Sequence, residues 1–395
     1  MANAARQAPP AWNAVGRHDV FPKASHDEIA RFNFLTNLNI HLASQVLPGV
    51  RKAYDKRVDE GASPSNRREV GELLKRESVY QFWSSLRRNT MEMRQQNSRA
   101  MVFRQLPELV DKAKKLNEDS TSLQLNAAVE TPRYMSAVDI HCMPGGYHTE
   151  YCKDDIAAGA NYDSGIFVTT AGMLGRYSDG GGQALVEWLK QQAENGFCPR
   201  RILDIGCTVG HNIVPLAQAF PDTEILAIDV SAPVLRYANA RASSLGISNI
   251  TFRQENAESI NAEDGSFDLI ITCMFLHETS SRALPRILGE THRLLADGGK
   301  VVHIEQPQFT PDMPPYEQFM RDWDTRNNNE PFWGTLHDLD LFEAIEHAGF
   351  ARERISTLGL FAVVDEELFP SAAKAASDSE DFGRKPAWHA YIASK

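Results

Sequence analysis

Cysteine is scarce in this chain: five residues in 395, Cys142, Cys152, Cys198, Cys207 and Cys273, odd in number and widely scattered. That pattern excludes a disulfide framework and suits the reduced thiols of a cytoplasmic protein. Long hydrophobic runs are missing too. No stretch approaches the roughly 18 apolar residues of a membrane span, and residues 1–27, rich in Ala and Pro, hold no apolar core of signal-peptide type. Positive charge is in short supply, with a net charge of −11. The first 150 residues carry 21 Lys and Arg against 17 Asp and Glu, and the remainder 20 against 35. So acidic a second half repels polyanionic nucleic acid, and the basic excess between Arg51 and Arg99 reads as a solvated helix face. What is left, 42% hydrophobic and 24% charged, is ordinary globular composition in a chain longer than one typical domain.

The stretch from Arg200 to Asp229 organises the rest. Ile202 and Leu203 form a short apolar run that ends in Asp204 and breaks at Gly206, the pattern of a buried parallel strand entering a glycine turn. Ile213, Leu216, Ala217 and Phe220 follow at helical spacing, Pro221-Asp222 stops that helix, and a second run, Ile225 to Ile228, ends in Asp229. This is one βαβ unit. Such a turn brings backbone close to a ligand, and an acid at the tip of the second strand is placed for a ribose diol, so a nucleoside-containing cofactor is expected. The dinucleotide pattern G-x-G-x-x-G is absent, because the glycines are Gly206 and Gly210 and an acid ends the strand. An acid there faces positive charge, which suits the amino group of a methionine moiety better than a pyrophosphate.

Asp204-Ile205-Gly206-Cys207-Thr208-Val209-Gly210 resembles the first motif of class I S-adenosylmethionine-dependent methyltransferases, acid-x-Gly-x-Gly-x-Gly, with Thr208 in place of the middle glycine. Glu255-Asn256-Ala257 resembles the family's adenine-contacting acid-Ala, with Asn256 in the acid's place, and Leu276-His277 its Leu-His after the fourth strand. Ala348-Gly349-Phe350 matches the end of the family's last helix. The resemblance covers 200–395. It implies S-adenosylmethionine as cofactor, held by Asp204, Gly206, Cys207, Thr208, Gly210, Asp229, Val230, Asn256, Ala257 and Cys273, with Tyr162 in a loop over the methionine end. The implied fold is α/β, a Rossmann-like seven-stranded mostly parallel sheet with a closing antiparallel hairpin, preceded by an N-terminal helical domain.

In chain order, residues 1–25 read as a disordered leader and 26–135 as a helical domain forming a lid or substrate cover, broken at Pro48-Gly49 and Gly61 to Asn66. Residues 136–198 connect it to the cofactor domain, 199–395. The connecting segment holds His141, Cys142, His148 and Cys152, whose spacing matches no common finger, so no metal is expected. Gly145-Gly146 instead lets a loop present Tyr147, His148 and Tyr151 toward the cofactor mouth, with a capped structural histidine as the alternative. His277, at the carboxyl end of a parallel strand, is either a general base or the cap of the next helix. Pro314-Pro315-Tyr316 reads as a linker, and the polar insert 365–385 as mobile.

These readings give a methyltransferase with His148, Tyr147 and His277 as candidate catalytic groups. The expected acceptor is an O or N atom, including a carboxylate, on a small or lipid-like metabolite. No nucleic-acid or membrane partner is expected, and a homodimer is left open. A cofactor-binding module serving as a protein partner, which only Thr208 hints at, and an NAD-dependent oxidoreductase, disfavoured by the missing glycine pattern, are the alternatives.

Overall fold

The computed structural model describes residues 9–118, 120–363, 365, 367–369 and 387–395. One sheet of eight strands runs through it: β1 (Leu123–Gln124), β2 (Arg201–Ile205), β3 (Glu224–Asp229), β4 (Ile250–Gln254), β5 (Phe267–Cys273), β6 (Leu295–Ile304), β7 (Ile355–Phe361) and β8 (Ala387–Ser394). Their order is β1-β4-β3-β2-β5-β6-β8-β7, parallel except for β8, which runs antiparallel to both neighbours. Seven strands and the closing hairpin agree with the sequence. The two-residue edge strand β1 does not appear in it, being too short to carry a period.

The central strand β2 is apolar on both faces because both are covered: Ile202, Leu203 and Ile205 are all fully buried. On one face pack α8 (Gly180–Glu194), α9 (Ile213–Ala219) and α10 (Ala232–Ser244); on the other, α11 (Leu284–Leu294) and α15 (Leu341–His347).

The segment before β1 is helical: α1 (His26–His41), α2 (Leu47–Asp59), α3 (Arg67–Leu74), α4 (Ser78–Arg104) and α5 (Leu106–Asn117). Ser25 starts α1 with a capping box, accepting from the Glu28 N–H while the Glu28 carboxylate accepts from its own. The interruption expected at Pro48 is no break. A wide π-turn, Leu42–Val46, carries α1 into α2, where Pro48 lies in the first turn and its missing N–H leaves no hydrogen bond unmade.

Residues 9–25 are not a disordered leader. Trp12 is fully buried against Phe32 and Phe21, and its indole N–H donates to the Ser164 carbonyl at 2.9 Å. Three apolar anchors, Trp12, Val20 and Phe21, outweigh the Ala/Pro composition. The insert 365–385 lies almost wholly outside the described residues.

After β1 come α6 (Arg133–Ser136) and α7 (Ala157–Thr170), and after β6 come α12 (Pro315–Arg321), α13 (Trp323–Asn327) and α14 (Trp333–Asp338). Tyr162 therefore lies within a helix rather than a loop. Pro315 opens α12, and Tyr316 is buried against Tyr54, so Pro314-Pro315-Tyr316 is no linker. Helices α12 and α13 share an apolar cluster with α2, α3 and α4, through Trp83, Trp323, Val70 and Leu74 among others. The helical segment and the 306–338 segment thus close together over the carboxyl ends of the strands.

Candidate active site

Beyond β2 the chain turns through three left-handed residues, Gly206 (φ 76°), Thr208 (φ 48°) and Gly210 (φ 79°). At Gly206 a side chain is also sterically barred, since a Cβ would lie 2.3 Å from the Phe275 ring. The loop is tied to the tip of β3: the Gly206 and Cys207 N–H groups donate to the Ile228 carbonyl, and Thr208 N–H donates to Asp229 Oδ2 at 3.1 Å. Asp229 Oδ1 accepts from the Ser231 N–H at 2.9 Å. Burial pushes the Asp229 carboxyl up to about 6, although these N–H donors pull it down. Burial, and then the neighbouring Asp229 charge, push Asp204 up to about 7.

A cavity of about 920 Å³ opens in front of this loop. Gly206, Cys207, Thr208, Asp229, Val230, Ala257, Cys273 and Tyr162 line it, as do Tyr147 and His277. Asp204 and Gly210 are not among the lining residues. Asn256 lines a separate groove with Tyr134 and Arg286, its side-chain carbonyl accepting from the Glu258 N–H at 2.9 Å, and Glu255 lines the cavity instead. His148 does not line the cavity either. The double-glycine turn brings it back over Gly146, leaving its Nδ1 buried without a partner, and burial holds its pKa low. Of Tyr147, His148 and Tyr151, all expected to face the cofactor mouth, Tyr147 alone lines the cavity, and Tyr151 is exposed.

Tyr147 is fastened on both sides. Its carbonyl accepts from Ser231 Oγ at 2.6 Å, and its hydroxyl meets His141 Nδ1 at 2.6 Å. Its ring lies edge-on to Tyr162, centroids 5.6 Å apart, and Tyr162 stacks on His211. Burial raises both phenols, so they are neutral hydrogen-bonding groups at neutral pH.

Past the end of β5, His277 Nδ1 lies 2.6 Å from Glu305 Oε1. Burial alone would lower this histidine, but Glu305, Glu278 and Glu330 together raise it to about 9. An imidazole so paired is protonated at neutral pH and is a poor proton acceptor. His277 Nε2, His141 Nε2 and the carboxylates of Glu278 and Glu330 face one another at the cavity wall. From α4, Arg94 adds a guanidinium with no ion-pair partner among the described residues; its Nε is buried without a hydrogen bond, and burial lowers its pKa.

Residues 202–299 match the family model described as a methyltransferase domain. The chain carries a class I S-adenosylmethionine-dependent methyltransferase domain. Curated relatives agree: an uncharacterized methyltransferase of Synechocystis is 30% identical over 38% of this chain and 66% of its own length. A demethylmenaquinone methyltransferase of Thermus thermophilus is 29% identical over 28% of this chain and 48% of its own length. A demethylmenaquinone methyltransferase of Lactococcus lactis is 33% identical over 30% and 45%. The chain thus spans about half to two thirds of the length of these relatives.

S-adenosylmethionine is the cofactor of this methyltransferase domain. The residues present fit it. Left-handed backbone at Gly206 leaves the loop backbone facing the cavity, and the Asp229 carboxylate at the cavity wall, raised by burial although it accepts from the Thr208 and Ser231 N–H groups, has lone pairs left for the donors of a ribose diol.

Sequence reasoning missed Glu330, Glu305, Glu278 and Arg94. The adjacent pair His277-Glu278 was a signal for one of them. Nothing local marks Glu330, which follows three asparagines, or Arg94, which sits in a helix with many other cations.

Proposed function

We propose that this protein transfers the methyl group of S-adenosylmethionine to an oxygen or nitrogen atom of a small, partly apolar metabolite bound under the helical cover. The observation that carries this reading is the single cavity running from the Gly206 loop and Asp229 to Ile40, Leu47, Trp83, Met91, Met320 and Trp323. About 920 Å³ is within the range of pockets for small molecules, and its far half mixes these apolar and aromatic side chains with charged ones such as Arg51, Arg87, Arg321 and Asp324. When bound, the cofactor supplies a methyl on a sulfonium, which a nucleophile takes while the sulfur keeps the bond's electron pair and leaves as a neutral thioether.

The chain's own residues do the rest. The 206–210 loop, Asp229 and Val230 hold the nucleoside end, with Ala257 at the adenine side. Tyr147 and Tyr162 wall off water, and that desolvation favours a step in which charge is cancelled. Arg94 offers a buried cation for an acidic group of the acceptor. His148 has no part in this reading, because it is outside the cavity. The relatives' names include demethylmenaquinone, trans-aconitate and malonyl-[acyl-carrier protein] methyltransferases, all acting on small or carrier-borne acceptors, which favours the same class here. The test is incubation with methyl-labelled S-adenosylmethionine and separate metabolite, protein and nucleic-acid fractions of a cell extract. Label is expected in the metabolite fraction, and label in tRNA or DNA alone contradicts the reading.

A further inference from the structure

Four side chains that methyl transfer by alignment does not require converge at the cavity wall. His141 Nε2 lies 3.3 Å from Glu278 Oε1 and 3.4 Å from Glu330 Oε1. His277 Nε2 lies 3.5 Å from Glu330 Oε2 and 3.8 Å from Glu278 Oε1. One donor atom from each of His141, Glu278 and Glu330 falls within 4.8 Å of the other two. Ligands about 2.0–2.1 Å from a tetrahedral ion are separated by roughly 3.3 Å, so the two His141 contacts have the spacing of a coordination shell and the two His277 contacts are somewhat wider.

Both imidazoles are turned to offer Nε2, and an ion bound there takes the place of the Nε2 proton of His277, which is released to solvent. His277 holds its Nδ1 against Glu305 Oε1 at 2.6 Å, and His141 holds its Nδ1 against the Tyr147 hydroxyl at 2.6 Å. A second partner of this kind fixes ring orientation and tautomer in metal-ligating histidines.

Independent of the spacing, Glu330 Oε2 is buried with no hydrogen-bond partner, in a side chain that is 0% exposed. That oxygen has only the His277 Nε2 contact at 3.5 Å, outside hydrogen-bonding geometry, and so keeps capacity for a ligand. Three distant segments deliver these residues: the 140–142 turn, the end of β5 and the loop before α14. Neither the helix packing nor the sheet ladder calls for two carboxylates there.

We propose that His141, His277, Glu278 and Glu330 form a binding site for a divalent first-row transition metal ion, Mn²⁺, Fe²⁺ or Zn²⁺. Mixed imidazole and carboxylate donors suit these ions better than Mg²⁺ or Ca²⁺, which take oxygen ligands. All four residues line the cavity, so the ion faces the acceptor. Its role there, resting on the methyl-transfer reading, is to hold an anionic oxygen of the acceptor beside the cofactor. The proposed site departs from the expectation of no metal, and of His141, Cys142, His148 and Cys152 it uses only His141. Cys142 Sγ instead contacts the Asn327 carbonyl and Asn328 Oδ1, each at 3.8 Å.

The test is calorimetric titration of chelator-stripped full-length protein with MnCl₂ and with ZnCl₂, no cofactor present, beside metal analysis of the protein as purified. One ion per chain is expected, with affinity lost in Glu330→Gln and His141→Ala and lowered roughly 10- to 100-fold in Glu305→Gln. Glu278→Gln replaces Glu330→Gln should circular dichroism show the latter unfolded. No saturable binding, the behaviour of a closed ion-pair cluster, overturns the proposal, as does binding that the ligand substitutions leave unchanged. S-adenosylmethionine titrated into the same samples separates the two readings: cofactor binding without metal binding sinks only the metal site, and metal binding without cofactor binding sinks only the methyl-transfer reading.

Discussion

Thr208 carries the most local tension in the cofactor loop. A β-branched residue at φ 48° pays for the close approach of its Cβ to backbone, about 1–2 kcal/mol, and a glycine there would avoid it. Its hydroxyl returns little, lying 3.4 Å from the Gly206 carbonyl. Thr208→Gly, after the larger unfolded-state entropy of glycine is subtracted, is expected to stabilise the protein by about 0.5–1 kcal/mol in urea unfolding. Thr208→Val should show no such gain. Asp229 and Asp204 give a pH dependence of definite sign. Their folded pKa values, about 6 and about 7, stand above the unfolded value near ~4, so the folded state binds more protons between these limits. Their contribution to apo stability is therefore full below pH ~4 and is lost as pH rises to about 7. Cofactor affinity runs the other way, since the ionised Asp229 carboxylate at the cavity wall is the better partner for a ribose diol. It should strengthen from pH 5.5 to 7.5 and then level off. In Asp229→Asn that rise should flatten and affinity at pH 7.5 drop about 10- to 100-fold, measured by calorimetry. An unchanged Kd would remove Asp229 from the site.

Among the elements, α7 is the one on which the cavity's shape depends. It is buried nearly all round, packs on α4 and α10, and has no amphipathic period, so the sequence offers no helical signal around Tyr162 against the loop that the family resemblance implied. Gly159 lets Tyr237 approach so closely that a Cβ would lie 2.6 Å from it. One turn on, Asp163 ties three parts of the chain together: it accepts from His211 at 2.7 Å, from the Tyr237 hydroxyl at 2.8 Å and from His18 at 3.0 Å, with Arg241 at 3.7 Å. Burial opposes its charge, but His211, His18 and Arg241 hold it well below the usual carboxylate range. Asp163→Asn leaves Arg241 without its counter-charge and should destabilise by about 3–5 kcal/mol, read from the urea midpoint. Because His211 stacks on Tyr162, S-adenosylmethionine binding should weaken as well. A destabilised variant with unchanged cofactor affinity would show that α7 supports the fold alone.

Over the whole molecule, the parts legible in the sequence are those with a period or a turn signature. The βαβ unit, the order of strands after it, the Gly206 loop and the Asp229 tip follow from apolar runs bounded by glycine, proline and acid. What the sequence hides is juxtaposition across long separations. His141 meets Glu330, and Trp83 meets Trp323, only because the helical segment and the 306–338 segment fold over the same strand ends. The lid was sought in one of these segments and is built from both. Composition misled at residues 9–25, where three large apolar side chains decide the matter. Among the described residues no helix is long and apolar enough to cross a membrane.

The central claim, one cavity shared by cofactor and small acceptor, is tested most directly by obstructing its far half. Ala43, exposed in the π-turn after α1, lines that half away from the Gly206 loop, and Ala43→Trp places a large ring in it with little to displace in the core. The measurement is methyl transfer from labelled S-adenosylmethionine to the extract's metabolite fraction, paired with cofactor affinity on the same preparations. Transfer is expected to fall at least tenfold in Ala43→Trp while cofactor Kd stays within twofold of the parent. Full transfer in the obstructed protein would place the acceptor elsewhere and contradict the account.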